Sequence, residues 1–424
     1  MEHNDFVKLL HEQVIPAVGC TEPVSIAIAT AAANRQLTGE ITNLMIRLSF
    51  NIFKNGMKVG IPGTDEKGIP FAAALALVMG NPDHQLQIFE HVKESDIAKA
   101  KELLQKKCII IEPIHNGSDF YIEVKATTQT DEAVCIIESN HTNIISITKN
   151  GVRVDNKPTS LDSTIQKERE IESLEAIYAF IAASDSSDLH FLLQGAQMNM
   201  AVAQEGRKKS YSSALGQRLF SLMDTGLLSK DLPNMIKAYT ASACDARMGG
   251  LSQNVMSSSG SGNQGIAAIV PLAVLAQEKD KSDKELSIAL ALSHLVTYYI
   301  KQKTGRLSPV CGCAIAAGIG SAAGLTYLQG GDSSHIDKAI NNMIGSIAGM
   351  VCDGAKGGCS FKLANAVAEA YTQSLVVLDG TSVNAGDGII GSSTEQSIKN
   401  LVNLCRIGMA DVDDVLVDIL SANC

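Results

Sequence analysis

The chain changes character near Pro158, and that change limits its fold more than any other feature. Before it, 41–53 is rich in β-branched and aromatic residues. The runs 109–112, 120–126, 133–138 and 143–149 read as short strands set apart by Asn, Gly, Ser and Asp. Helical spacing at 69–78 and 95–106 lies between them. After it, the apolar spacing is helical throughout, over 171–184, 188–204, 210–227, 230–246, 265–276, 283–303, 310–328, 335–350, 362–378, 393–409 and 412–420. Residues 5–36 also read as helix, broken at Pro16 and Gly19 and resumed over 24–35, with Pro23 in a first turn that tolerates it. The expected fold class is α+β: a large all-helical domain over 159–424 and a smaller α/β-mixed domain over 40–158 inserted near the N-terminus. The helices of 1–39 are expected to pack on the helical domain.

A length of 424 residues is enough for roughly two to three domain-sized units. Apolar residues make up 45% of the chain, so disorder is excluded. Gly is frequent at 35 residues, Trp is absent and aromatics reach only 4%, so helices can approach closely. A symmetric homodimer is the expected assembly. The net charge of −10 argues against nucleic acid as a partner, because phosphate binding needs a basic surface. The polar start Met1-Glu2-His3-Asn4-Asp5 lacks the form of a signal peptide. The most apolar stretch, 311–328, is built of Ala and Gly rather than the ~20 strongly apolar residues of a membrane span. A cytoplasmic protein with no membrane partner is expected.

The chain has 10 cysteines. In a reducing compartment these are thiols or metal ligands, and no C-x-x-C pair occurs to suggest a zinc ribbon. Several sit where helical patterns break. Cys20 lies in Gly19-Cys20-Thr21-Glu22-Pro23, just before a helix start, where unpaired N–H groups favour thiolate. Cys311 and Cys313 lie in Pro309-Val310-Cys311-Gly312-Cys313. Pro309 suggests that a helix begins there, and positions two apart do not share a helical face, so one of the two thiols points at any common site. Cys352 and Cys359 bracket the Gly-rich loop Asp353-Gly354-Ala355-Lys356-Gly357-Gly358. Thiols at three separated helix–loop junctions suggest an assembled metal site. Zinc would recruit His, which these segments lack, so an iron–sulfur cluster is favoured. A polar loop, Ser257-Ser258-Ser259-Gly260-Ser261-Gly262-Asn263-Gln264-Gly265, formally contains G-x-G-x-x-G. It lacks the strand and βαβ setting of a dinucleotide site. Its N–H groups and its Ser259, Ser261, Asn263 and Gln264 side chains suit a carboxylate instead.

Gly-Cys-Thr-Glu-Pro at 19–23, Ser-Gly-Ser-Gly-Asn-Gln-Gly at 259–265, Cys-Gly-Cys-Ala at 311–314 and Cys-Asp-Gly-Ala-Lys at 352–356 together resemble the L-cysteine desulfidase branch of the iron–sulfur L-serine dehydratase α-chain family. The resemblance covers nearly the whole chain. It implies a [4Fe–4S] cluster held by Cys20, Cys352 and one of Cys311 and Cys313, taken as Cys313, with one open iron and no pyridoxal phosphate. It further implies that the helical domain is catalytic. The implied reaction is β-elimination on a small amino acid: L-cysteine and water to pyruvate, ammonia and hydrogen sulfide, the open iron acting as Lewis acid on the leaving group. Dehydration of L-serine by the same mechanism is the alternative. A non-catalytic, thiol-rich redox sensor is the alternative of another class. Thr21 and Glu22 are expected beside the cluster as substrate-binding residues, and Lys356 is a candidate for the unidentified base. The terminal Cys424 parallels the chain-terminal cysteine of the serine dehydratase branch, which there caps the fourth iron. Here it reads as incidental.

Overall fold

The computed structural model describes residues 1–19, 21–114, 120–155, 169–305 and 308–422, so Pro158, Cys20 and Cys424 lie outside the described residues. The first part of the chain runs α1 (His3–Gln13), β1 (Pro16–Val18), α2 (Thr21–Asn34), β2 (Asn43–Ser49), α3 (Phe50–Gly56), α4 (Ile69–Met79), α5 (Glu94–Gln105), β3 (Ile109–Ile114), β4 (Tyr121–Thr127), β5 (Glu132–Glu138), β6 (Ile144–Lys149) and β7 (Val152–Arg153). Among the described residues six strands form one mixed sheet, in the order β3-β2-β4-β5-β6-β7. β2 and β3 are parallel and the other neighbours antiparallel. Alternation in β4 and β5 turns Ile122, Val124, Ala126, Ala133, Cys135 and Ile137 onto one buried face. The Ala- and Ile-rich helix α2 and the helix α4 supply the rest of that core.

The strands fall where the period-2 pattern placed them, but the run 41–53 divides. Residues 43–49 form β2, and Phe50-Asn51-Ile52-Phe53 turns into helix α3. Burial of Ile52 and Phe53 in the sheet-side core outweighs their β-propensity. The opposite side of α3 then presents Asn51, Lys54 and Asn55 to a cavity described below.

The remainder is helical except for one short strand: α6 (Leu174–Ala183), α7 (Ser186–Leu189), α8 (Phe191–Lys208), α9 (Leu215–Asp224), α10 (Leu232–Met248), β8 (Asn254–Met256), α11 (Gly262–Glu278), α12 (Asp283–Thr304), α13 (Ala316–Leu328), α14 (Ser333–Ile347), α15 (Cys359–Leu378), α16 (Thr394–Asn403) and α17 (Val412–Ala422). Side-chain caps start several of them: Asp231 for α10, Ser282 with Glu285 for α12 and Asp332 for α14. The Ser282 backbone N–H, the Lys281 ammonium and the Ser282 hydroxyl hold the Glu285 carboxyl down at about 2. In the helical core, α13 lies against α11 and α12 at distances only glycine permits. A Cβ on Gly320 would stand 2.2 Å from Thr297 Oγ1, and one on Gly324 2.6 Å from a Leu272 methyl. None of the described helices is long and apolar enough to cross a membrane.

The two helices at the start of the chain divide between the cores. Phe6, Leu9 and Leu10 of α1 join the helical core, whereas α2 joins the sheet-side core. The strands β1 and β8 pair antiparallel, setting Pro16 opposite Met256 and Val18 opposite Asn254. At the other end α17 reaches the sheet side: Asp413 pairs with Lys54 at 3.0 Å, and Leu420 packs on that core.

Candidate active site

Four chain segments meet at a cavity of about 830 Å³ between the two cores. The first is the turn before α2. Gly19 has φ +58°, and a Cβ there would stand 2.6 Å from Pro62 Cγ, so glycine alone fits. Arg247, buried at the end of α10, donates from Nη2 to Gly19 O at 2.6 Å and from Nη1 to Asn263 Oδ1 at 3.1 Å. One guanidinium thus ties the segment preceding Thr21 to the start of α11.

The second segment follows β8. Ser258 and Ser261 exchange backbone hydrogen bonds of 3.1 Å around Ser259 (φ 49°) and Gly260 (φ 80°). Two consecutive positive φ values make this a tight primed turn. It is anchored by Ser257 Oγ donating to Ile15 O at 2.6 Å, and by His294 Nδ1 2.9 Å from Ser258 Oγ. Helix α11 begins at Gly262, earlier than its apolar spacing indicates, so Asn263 and Gln264 occupy its first turn. The strand β8 does precede the glycine motif, but it pairs antiparallel with β1 and forms no βαβ unit. A dinucleotide site remains excluded.

The third and fourth segments carry sulfur. Cys311 N–H donates to Met350 O at 2.8 Å and Cys352 N–H to Pro309 O at 2.7 Å, which pins the two thiol-bearing loops together. The helix expected from 310 starts only at Ala316. The preceding residues form a turn closed by Ala314 and Ile315 N–H groups on Cys311 O, with Gly312 at its centre. Cys311 and Cys359 are buried, while Cys313 and Cys352 are half-buried. All four line the cavity. Cys313 Sγ lies 3.7 Å from Ser261 Oγ. Gly354 (φ +92°) lets its loop press against Lys54 O of α3, where a Cβ would stand 2.1 Å away.

The cavity therefore gathers Thr21, Glu22, Ser259, Ser261, Asn263, Gln264, Cys313 and Cys352. Lys356 is not brought to it. It is absent from the cavity lining, and its ammonium pairs with Asp353 at 2.5 Å. Asp353 also holds Lys362, which does line the cavity. Sequence reasoning missed Asn51, Lys54, His141, Arg247 and Lys301. His141, in the β5–β6 turn, places Nε2 2.8 Å from Thr21 Oγ1 and sets its ring edge-on to Phe120. Its contact to Thr21 spans 120 positions, and no local pattern announces it. Lys301 left one usable sign: it continues the i, i+4 line of Ser293 and Thr297, the buried face of α12. Its Nζ lies 3.2 Å from where a Gly312 Cβ would be.

Electrostatics mark the thiol wall. The Cys311 thiol is pushed well up by its hydrogen bond with Cys313 and by burial. Burial raises Cys352 and takes Cys359 up to about 11. Burial pulls the Lys301 ammonium down, against the attraction of Cys313, Cys352 and Cys311. Among the described residues no three His, Cys, Asp or Glu side chains are already drawn into a closed cage. The donor set nevertheless suits a thiolate-bound iron–sulfur group. The cavity holds soft sulfur, its lysines favour negative charge, and a metal would take the place of the protons that burial retains. Four buried polar atoms along the cavity, Asn51 Oδ1, Arg247 Nε, Ser259 Oγ and Gln264 Oε1, have no hydrogen-bond partner among the described residues. Such atoms are costly unless a ligand or water satisfies them.

Comparison with known proteins gives one family and a set of close relatives. Residues 83–418 match the family model described as serine dehydratase alpha chain. A protein of Clostridium tetani called UPF0597 protein is 38% identical over 99% of this chain and 98% of its own length. The UPF0597 protein of Clostridium perfringens is 39% identical over 98% of this chain and 97% of its own. One from Clostridium botulinum is 37% identical over 97% and 96%.

Proposed function

The chain belongs to the serine dehydratase alpha-chain family, whose members are lyase-type enzymes associated with iron–sulfur clusters, and from that premise we propose that it is a [4Fe–4S]-dependent cysteine desulfidase. The reaction is L-cysteine and water to pyruvate, ammonia and hydrogen sulfide, in the cytoplasm, by a homodimer that uses no pyridoxal phosphate. Cys20, Cys313 and Cys352 would hold the cluster. When bound, the cluster supplies a Lewis acid for the leaving group at Cβ. We further read the helical region as the catalytic unit, with the sheet unit inserted in it.

One observation carries this reading. A single cavity joins the cysteines of two loops to the polar residues Thr21, Ser259, Ser261, Asn263 and Gln264. The chain's own residues divide the remaining work. Arg247 fixes the spacing between the segment before Thr21 and the start of α11. The first turn of α11 offers N–H donors suited to a substrate carboxylate, and the Ser258–Ser261 turn, whose Ser258, Ser259 and Ser261 N–H groups are already paired, adds the hydroxyls of Ser259 and Ser261. Lys301 places its amine beside the thiol loops, near Gly312, where burial works against its ammonium and the neighbouring thiols favour it.

The test is anaerobic purification followed by iron analysis, a visible spectrum and parallel assays of pyruvate and sulfide. Bound iron with broad visible absorbance, and turnover of cysteine to both products, is expected. Protein without iron would remove the cluster reading. Pyruvate from serine at much higher kcat/KM than from cysteine would make the enzyme a serine dehydratase. Iron without turnover of either amino acid would point to a redox sensor.

A further inference from the structure

Resting on the reading above, Cys352 poses a mechanical problem. It opens a loop with glycine at 354, 357 and 358, a composition with little stiffness of its own. A metal ligand needs a fixed place, and the residues around it normally supply one. On its leading side Cys352 follows the antiparallel bridge of Val351 to Val310, its N–H donates to Pro309 O at 2.7 Å, and Cys311 N–H donates to Met350 O at 2.8 Å. On its trailing side the backbone runs into the glycines. Lys362 spans both sides. Its Nζ donates to the carbonyl of Val351, the residue before Cys352, at 2.7 Å, and to Oδ1 of Asp353, the residue after it. Two of the three donors of its ammonium are thereby committed to the two neighbours of one thiol. Lys362 stands in the first turn of α15 beside Leu363, which is fully buried in the helical core, so it is anchored outside the loop it holds. Lys356 grips the same carboxylate from within the loop, with Nζ 2.5 Å from Asp353 Oδ2 and 3.1 Å from Asp353 O. A contact internal to the loop moves with it and cannot fix it against the core.

We propose that Lys362 is the positioning residue of Cys352, clamping the backbone on both sides of that thiol to the helical core. Lys356 is an accessory that completes the pairing of Asp353. Two lysines that share one carboxylate therefore differ in consequence. Removing the Lys362 ammonium frees Val351 O and Asp353 together. It loosens 350–354 and, through the Cys311–Met350 and Cys352–Pro309 hydrogen bonds, the neighbouring loop at 309–313. Removing the Lys356 ammonium leaves Lys362, Val351 O and the Val310–Val351 bridge in place. The clamp is made of protein groups alone, so Cys352 is held in place before any cluster arrives.

The test is hydrogen exchange of the full-length chain after chelation of any iron, read by mass spectrometry on peptides covering the two thiol loops, with β4 and β5 as internal control. Lys362→Met should speed exchange in both loops about ten- to a hundredfold, the worth of a hydrogen bond to a charged group, and change β4 and β5 by less than about twofold. Lys356→Met should change the loops by less than about threefold. Lys362→Arg, which keeps the charge and donates in two directions, should recover most of the protection. Asp353→Ala breaks the trailing half of the clamp. It should speed exchange around Cys352 at least about tenfold, and it decides the matter if Lys362→Met does not fold. Unchanged exchange in Lys362→Met would overturn the proposal. So would equal acceleration by the two methionine variants, an arginine variant no better than methionine, or acceleration shared by β4 and β5, which would mean general destabilisation. Iron analysis after anaerobic purification is the second readout. Lys362→Met should lose most of its iron and Lys356→Met should keep it, and full iron in Lys362→Met overturns the ligand role. Wild-type protein that binds no iron, with the exchange pattern as expected, removes the cluster reading and leaves the clamp standing.

Discussion

His294 offers a quantitative test of how the polar turn is held. It is 2% exposed in the middle of α12, its Nδ1 lies 2.9 Å from Ser258 Oγ, and its Nε2 has no partner among the described residues. Burial lowers its pKa from 6.5 to about 3. The sign of the consequence follows from proton counting. Below pH 6.5 the unfolded chain takes up a proton at this position, and the folded chain does not until pH falls to about 3. The unfolded state binds more protons across that window, so stability is complete above 6.5 and declines as pH falls. By about pH 5 the loss attributable to this ring is on the order of 2 kcal/mol. The perturbation is His294→Leu, and the assay is anaerobic urea unfolding of wild type and variant at about pH 7 and about pH 5. Carboxylates elsewhere contribute equally to both proteins and cancel in the double difference. Wild type should lose about 2 kcal/mol more than the variant on acidification. Equal losses would refute the reasoning, because they would mean that the ring is not kept neutral by its surroundings.

Two further substitutions separate packing from ligation. Cys313→Ala should lose most of the iron, whereas Cys311→Ala should keep it and cost about 1–2 kcal/mol in urea unfolding, since Cys311 is buried and Cys313 faces Ser261 across the cavity. Gly265→Ala should destabilise by about 3 kcal/mol or more, because its Cβ would stand 1.9 Å from Met256 O; Gly260→Ala meets nothing within 4 Å and should cost about 1 kcal/mol for its positive φ alone, both read by thermal melting.

How much of this was legible beforehand depends on the range of the interaction. Period-2 alternation located β4 and β5 because one face is buried and the other half-exposed, which leaves its trace residue by residue. Small residues in α13 marked a buried helix, because Gly320 and Gly324 meet neighbouring backbones directly. The thiols and the Ser/Gly turn stood out for breaking local patterns, and the fold brings Cys313, Cys352, Ser259 and Gln264 to one cavity. Residues that reach the cavity from regular elements were not legible. Asn51 sits within an aromatic, β-branched run that looks like strand and folds as α3. Arg247 continues an ordinary helix, and its partners Gly19 and Asn263 are fixed only by tertiary structure. Lys356 looked available because it stands in a loop, yet Asp353 three residues away captures it. A titratable group in a Gly-rich turn says little about direction until its nearest counter-charge is known.

The pairing of β1 with β8 also bears on the order of events during synthesis. Residues 16–18 leave the ribosome long before residues 254–256 exist to meet them, and the thiol loops at 311–313 and 352 follow later still. The turn before α2 must therefore wait, unpaired, through most of translation, and closing so long a loop costs entropy that no early local contact repays. The cavity comes into being late, as a whole. A nascent chain has no complete cavity to offer to any ligand, and on the proposed function cluster loading would wait for a protein whose residues through 352 have already been made.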